Sequence, residues 1–216
     1  VNRGETIAFI GSTGSGKSTL INLVPRFYDV TDGEILVDGI NVKEYKGEVL
    51  HNKIGYVPQK AVMFTGTVYD NVSYGDNGKG KIELNKVKEA VKVAQGKDFV
   101  EKMDGKYDAH ISRGGTNVSG GQKQRLAIAR AIARDPEIYI FDDSFSALDF
   151  KTDLKLRTEL KEVTKDKTVF IVAQRISTIM KADNIIVLDQ GKIVGMGTHK
   201  DLLKKCEVYK EIAYSQ

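Results

Sequence analysis

The stretch that decides the fold is Gly11-Ser12-Thr13-Gly14-Ser15-Gly16-Lys17-Ser18, which is followed by Thr19. Glycine, four residues and then Gly-Lys-Ser is the pattern of a phosphate-binding loop, because glycines let backbone N–H groups converge on an anion without obstruction. Lys17 adds a positive charge for the β- and γ-phosphates, and Ser18 offers a hydroxyl to Mg²⁺. We therefore expect residues 11–19 to bind a nucleoside triphosphate together with Mg²⁺.

The residues on either side of this loop place it between a strand and a helix. Residues 6–10, Thr-Ile-Ala-Phe-Ile, predict a buried strand, and the apolar spacing of residues 17–26 predicts a helix. The phosphates would then lie at the positive end of the helix dipole. A flexible glycine-serine linker is the alternative reading, but a linker requires neither Lys-Ser at its end nor these flanks.

The composition narrows the class of protein. The chain has 216 residues, enough for one large domain or two small ones, and 33 basic against 29 acidic residues give a net charge of +4. Charges of both signs are interspersed, so we expect no nucleic-acid partner, which would require a concentrated basic face. A single cysteine, Cys206, excludes an internal disulfide, and no apolar run reaches the roughly 18–20 residues of a membrane span.

The remaining apolar runs predict a doubly wound α/β fold with a mostly parallel sheet. Residues 67–136 interrupt this pattern, because they carry few strand signals and several helical ones. We expect them to form an inserted helical subdomain. The strands predicted after the phosphate loop are 33–39, 54–57, 138–141, 168–172, 185–188 and 192–194.

Two further segments contribute to the predicted site. Asp142 ends the apolar run 138–141, and a carboxylate at that strand end can hold the Mg²⁺ that bridges nucleotide phosphates. With the phosphate loop, this predicts a RecA-like P-loop NTPase core built from residues 1–66 and 137–216. Ser119 is followed three residues later by Gln122, a capping-box pattern that predicts the start of a helix.

Taken in order, these segments resemble the nucleotide-binding domain of an ABC transporter. The resemblance covers nearly the whole chain, and residues 64–72 and 197–203 are similar to exporter-type sequences in particular. The segments that carry it are Gly11–Ser18, Gln59, Val118–Gln122, Ile138–Asp142 and Ser146–Asp149.

The resemblance implies cofactors and a partner. Two such domains would clamp two molecules of ATP with Mg²⁺ head to tail, and Ser119-Gly120-Gly121-Gln122 of each would complete the site on the other. A capped helix N-terminus with exposed backbone N–H groups suits a γ-phosphate presented across an interface. Gln59 is implied to sense Mg²⁺ or the attacking water, so the implied metal ligands are Ser18, Gln59 and Asp142.

The resemblance also implies a membrane protein. A transmembrane domain on the same polypeptide is expected upstream, which would place this domain at the cytoplasmic face of the cell membrane. The chain starts without methionine, one strand before the phosphate loop, so we expect a segment of a longer polypeptide. In this family an aromatic residue that stacks on adenine lies upstream of the loop, hence before Val1, and the membrane segments that would recognise the transported substrate are absent.

Two catalytic positions depart from the family pattern. A glutamate normally follows the magnesium aspartate, but here the position holds Asp143, and the switch histidine after the later strand is replaced by Gln174. The shorter carboxylate is drawn back by about 1–1.5 Å, and a misplacement of ~1 Å can cost ~100-fold in rate. The catalytic set is therefore Asp143, Gln174 and Gln59, and we expect slow hydrolysis in the degenerate half of a heterodimer.

Two alternatives remain open at this point. One is a homodimeric exporter ATPase in which Asp143 serves as a slower base. The other is a soluble ABC protein of translation or DNA repair, which would require a second cassette, a coiled-coil insertion or a strong basic patch, and the sequence carries none of these.

Overall fold

The fold is organised around one large sheet with helices on both faces. A computed structural model describes residues 1–75 and 77–216. The strands are β1 (Thr6–Gly11), β2 (Leu36–Val37), β3 (Ile40–Asn41), β4 (Ile54–Val57), β5 (Gly66–Thr67), β6 (His110–Ile111), β7 (Ile138–Asp142), β8 (Thr168–Val172), β9 (Asn184–Asp189) and β10 (Lys192–Gly197). The α-helices are α1 (Lys17–Ile21), α2 (Gly47–Lys53), α3 (Val68–Val72), α4 (Leu84–Val93), α5 (Lys97–Val100), α6 (Gly120–Ala133), α7 (Phe150–Thr164), α8 (Ile176–Ile179), α9 (His199–Lys205) and α10 (Glu207–Tyr214).

Six strands form the main sheet, in the order β10-β9-β1-β8-β7-β4. The pairs from β9 to β4 are parallel, and β10 pairs antiparallel with β9. The predicted mostly parallel sheet is thus confirmed. Because parallel strands direct their carboxyl ends to the same edge, the segments that follow β1, β4, β7 and β8 meet there.

Alternate residues of β1 enter the core on opposite faces of the sheet. Ile7 and Phe9 pack in one layer with Ile21 of α1, while Ala8 and Ile10 belong to the layer on the other face. A strand buried on both faces reads in sequence as a continuous apolar run. This double burial fixes β1 in the centre of the sheet and the phosphate loop at its carboxyl end.

The helix after the phosphate loop is shorter than expected. The prediction of a helix over residues 17–26 was wrong, because α1 ends at Ile21 and is followed by turns. Leu23 and Val24 donate backbone hydrogen bonds to residues three positions back, at 3.2 Å each, and Arg26 has a φ of 57°. Pro25 explains the break, since its ring disfavours helical geometry before it and would clash with the carbonyl of Ile21.

The region from α3 to α6 is helical, with one small strand pair. In α4, Val87 and Val91 are fully buried, and α6 buries Leu126 and Ile128. The two-residue strands β5 and β6 pair antiparallel at the base of this region. The domain limits at residues 67 and 137 stay a prediction. Over the described residues, no helix combines the length and apolar character needed to cross a bilayer.

Candidate nucleotide site

The phosphate loop follows β1 in a conformation that requires glycine. A Cβ on Gly11, whose φ is 156°, would lie 2.0 Å from the carbonyl oxygen of Leu188 in β9. Gly14 and Gly16 have φ values of 81° and 96°, in the left-handed region that side chains rarely adopt. The loop therefore lies against β9 so closely that these glycines determine its path.

Lys17 is held inside the loop by neutral oxygens. Its Nζ donates to the carbonyl oxygens of Gly11 at 2.9 Å and Ser12 at 2.8 Å, and to Ser15 Oγ at 3.3 Å. The residue is 9% exposed, and burial lowers the pKa of its ammonium, against the opposing charges of Asp143 and Asp142. Within residues 1–75 and 77–216, Lys17 forms no ion pair, so its charge is not cancelled by direct contact.

A hydroxyl and a carboxylate converge beside the loop. Ser18 Oγ donates to Asp142 Oδ1 at 2.9 Å, and the Tyr56 hydroxyl lies 3.2 Å from Asp142 Oδ2 and 2.9 Å from Asn22 Oδ1. Asp142 is 7% exposed. Burial, followed by the charge of Asp142, raises the pKa of Tyr56, so the phenol stays protonated. Hard oxygen donors of this kind fit Mg²⁺, and Ser18 with Asp142 would hold it here.

The Asp143 carboxylate is held by two amide side chains. Gln59 Nε2 and Gln174 Nε2 donate to the same oxygen, Oδ2, at 2.9 Å and 2.7 Å. Gln59 follows β4, Asp143 follows β7 and Gln174 follows β8. The carboxyl ends of these three strands share one edge of the sheet. Burial raises the pKa of Asp143 and the neighbouring Asp142 adds to this, while the hydrogen bonds from Gln59 and Gln174 oppose it. Asp143 also has a φ of 47°.

The predicted signature segment caps α6 as expected. Gln122 N donates to Ser119 Oγ at 3.2 Å, and Ser119 N donates to Gln122 Oε1 at 2.8 Å, so both bonds of the capping box are present. Ser119 and Gly120 are exposed. Among the described residues, no hydrogen bond joins this cap to the phosphate loop.

The structure sorts the predicted site residues into three groups. Ser18 is hydrogen-bonded to Asp142. Gln59 and Gln174 are hydrogen-bonded to Asp143, and the segment 119–122 stands apart from both groups. Sequence reasoning missed Tyr56 and Asn22. The Tyr56 hydroxyl contacts Asp142, the predicted metal ligand, and Asn22 contacts the Tyr56 hydroxyl. Tyr56 could have been found, because it is a polar aromatic residue in the strand just before Gln59. Asn22 could not, because it lies in a segment whose pattern predicts only a helix.

A glycine-rich loop between β1 and α1, with a serine hydroxyl on the carboxylate that ends β7, defines the class of P-loop nucleotide-binding proteins. Residues 1–146 match the ABC transporter family. The chain therefore belongs to that family. ATPases of this family bind ATP, typically with Mg²⁺, and in general hydrolyse it.

The relatives agree with this assignment. An uncharacterized ABC transporter ATP-binding protein of Mycobacterium tuberculosis is 52% identical over 213 residues, 99% of this chain and 36% of the relative. A putative multidrug export ATP-binding/permease protein of Staphylococcus aureus is 44% identical over 212 residues, again 36% of its length. The structure of a bacterial Atm1-family ABC exporter with ATP bound matches 97% of this chain and 36% of its own, with a TM-score of 0.92 and 37% identity.

Proposed function

We propose that this chain is the nucleotide-holding half of a heterodimeric ABC exporter. Residues 11–19 bind ATP, and Ser18, Gln59 and Asp142 are the protein groups around its Mg²⁺. The core consists of residues 1–66 and 137–216, and residues 67–136 form the helical subdomain. Ser119-Gly120-Gly121-Gln122 completes the ATP site on the partner, and the Ser146–Asp149 turn lies at the seam between the two domains.

The relatives support a proposal for the surroundings of this domain. The chain spans 36% of the length of the curated relatives, and those from Staphylococcus aureus are named as both ATP-binding and permease proteins. These names support the proposal that a transmembrane domain on the same polypeptide holds this chain at the cytoplasmic face of the cell membrane. The partner is a second ATP-binding domain on a non-identical chain.

Slow hydrolysis at this site is supported by the contacts of Asp143. A general base has to take a proton from the attacking water, and its efficiency depends on position and on a free basic oxygen. Here Oδ2 already accepts two amide hydrogen bonds, from Gln59 and Gln174, and the side chain is one methylene shorter than glutamate. Gln174 can donate a hydrogen bond to a phosphate but carries no positive charge to stabilise it. This double contact on one oxygen is the observation that carries the proposal.

The test is single-turnover hydrolysis by the full-length exporter with its partner bound. Asp143→Glu restores the missing methylene, so we expect hydrolysis at this site to rise by about tenfold or more. Asp142→Glu is the matched control, because the same lengthening one residue earlier displaces the metal ligand and should lower hydrolysis. Rapid hydrolysis at this site in the unmodified exporter, equal to that at the partner's site, would contradict the proposal.

The identity of the partner separates this proposal from a homodimeric exporter. Affinity purification of the tagged full-length protein should recover a second chain of different sequence in equal amount. Recovery of this chain alone, in a form that transports and hydrolyses ATP, would support the homodimer in which Asp143 acts as a slower base.

A further inference from the structure

Gln216 follows α10, and its side-chain amide contacts the segment that carries Gln174. Its Nε2 donates to the carbonyl oxygen of Gln174 at 2.6 Å, and its Oε1 accepts from the backbone N–H of Ile176 at 2.8 Å. One side chain therefore holds residues 174–176 at both ends, from a position 40 residues later in the sequence than Ile176.

Residues 174–176 need a hydrogen-bond partner from another part of the chain, because no neighbouring side chain caps helix α8. Helix α8 begins at Ile176, and the residue before it, Arg175, makes no side-chain capping hydrogen bond. The first backbone N–H groups of a helix have no partner inside that helix. Gln216 supplies an acceptor for one of them and in addition a donor for the carbonyl of Gln174.

Helix α10, which precedes Gln216, is anchored in the core by Tyr209. Tyr209 of α10 is fully buried, and its hydroxyl lies 2.7 Å from His199 Nδ1 at the start of α9. A cavity of about 260 Å³ lies beside the contact between Gln216 and Gln174, and Asp143, Gln174 and Gln216 all line it. Gln216 and Asp143 thus line the same small space, and Gln174 is hydrogen-bonded to both of them.

We propose that Gln216 is a positioning residue for the contact between Gln174 and Asp143. By fixing the backbone on both sides of Arg175, it directs the Gln174 side chain to Asp143 Oδ2, which it reaches at 2.7 Å. Without Gln216, residues 174–176 gain conformational freedom, and Gln174 holds the carboxylate for a smaller fraction of the time. The inference uses the proposed function in one respect only, since the loss of ATP from this site is its readout.

The experiment uses the full-length exporter with the phosphate-loop lysine of the partner changed to alanine, so that only this site retains ATP. If the partner is a second copy of the chain, two differently tagged copies are expressed together. The site is loaded with radiolabelled ATP and chased with unlabelled ATP. The rate constant for loss of label is measured, and ATP and ADP are separated in the released material.

The decisive comparison is Gln216→Ala in two backgrounds. With Gln174 present, we expect loss of label about fivefold faster, since two hydrogen bonds are removed. In a Gln174→Ala background, we expect less than about a 1.5-fold change, because the residue through which Gln216 acts is gone. The same factor in both backgrounds, or no change in either, would overturn the proposal and leave Gln216 a structural residue.

Two further variants guard against a simple folding defect. Gln216→Glu retains the acceptor for Ile176 but loses the donor to Gln174, so we expect about threefold faster loss of label, with hydrogen–deuterium exchange at residue 176 still slow. Ser215→Ala removes only a local bond to Ile212 and should leave both measurements unchanged. Label that leaves rapidly as ADP from the unmodified site would refute the proposed function, while the comparison of backgrounds would still decide the role of Gln216.

Discussion

The phosphate loop and the cap of α6 are both predicted to bind phosphate, yet their surroundings differ. The loop, Gly11–Ser18, is held by contacts within the chain. Lys17 donates hydrogen bonds to loop carbonyls, Ser18 donates one to Asp142, and Gly11 packs closely against β9. The cap, Ser119–Gln122, bonds to itself and is exposed at Ser119 and Gly120. Among the described residues, the loop is therefore surrounded by groups of its own chain, whereas the cap forms no hydrogen bond with the loop.

This difference teaches where each segment acts. The groups that would hold a triphosphate are already in place around the loop, so ATP binding at this site depends on residues of this chain. The helix N-terminus at the cap is exposed at Ser119 and Gly120, and under the proposed function it would act on a phosphate bound by a second domain. Changes in the loop should therefore weaken ATP binding here, and changes in the cap should be felt at the partner's site.

The largest effect is expected for Lys17→Ala. Removing the ammonium deletes a charge-assisted contact to phosphate, which is worth ~2–3 kcal/mol, so ATP should bind this site about 100-fold more weakly. Titration of the full-length exporter with a fluorescent ATP analogue measures the change. Lys43→Ala is the control, since Lys43 lies outside the loop and also donates to a backbone carbonyl, that of Val30. Equal losses for both variants would contradict a specific role of Lys17 in binding ATP at the loop.

A smaller effect, at the other site, is expected for Gly120→Asp. No atom lies within 4 Å of a Cβ placed on Gly120, so the substitution fits, and an acidic residue in the first turn favours the helix dipole. The same carboxylate would repel a phosphate that approaches this helix end, at a cost of about 2 kcal/mol or roughly 30-fold in hydrolysis at the partner's site. Steady-state ATPase activity of the assembled exporter reports this loss.

The control for that variant is Gly120→Ala, which fills the same space without charge and should retain most of the activity. ATP binding by the phosphate loop of this chain should be unchanged in both variants. Full ATPase activity in Gly120→Asp would show that the cap does not meet a phosphate.

The smallest effect is expected for Tyr56→Phe. The phenol contacts Asp142 Oδ2 and Asn22 Oδ1, and its loss removes one hydrogen bond from the Asp142 carboxylate. We expect the Mg²⁺ concentration for half-maximal ATP binding to change by about threefold. Tyr45→Phe is the matched control, because that hydroxyl donates to the carbonyl of Val37, away from the site. A shift of similar size in the control would indicate a general effect of losing a hydroxyl.

Local sequence patterns were sufficient for much of the fold and for the outline of the site. The phosphate loop depends on glycine conformations and on its flanks, and the cap depends on Ser119 and Gln122 three residues apart, so both are visible in short stretches. The strands 54–57 and 168–172 are continuous apolar runs with clear ends, and the structure has them with the same limits. These features need no knowledge of distant parts of the chain.

The contacts on Asp143 could not be predicted in this way. Gln59, Asp143 and Gln174 are separated by 84 and 31 residues and meet only because their strands share a sheet edge. Sequence reasoning named all three residues, but it had no means to predict that both amides donate to the same oxygen. The length of α1 was missed for another reason, since the apolar spacing of residues 17–26 concealed the effect of Pro25. The roles assigned to individual site residues stay predictions.

The place of β1 in the sheet also constrains the order in which parts of the fold can form during synthesis. β1 pairs with β8 and β9, so the strand that leads into the phosphate loop has both of its neighbours more than 150 residues later in the chain. The loop is further tied to Gly191, whose N–H donates to the carbonyl of Ser15 at 3.1 Å. A ribosome synthesises from the N-terminus, and such distant pairings form late. In the nascent chain, β1 and the phosphate loop therefore lack these partners until β8, β9 and Gly191 have been synthesised.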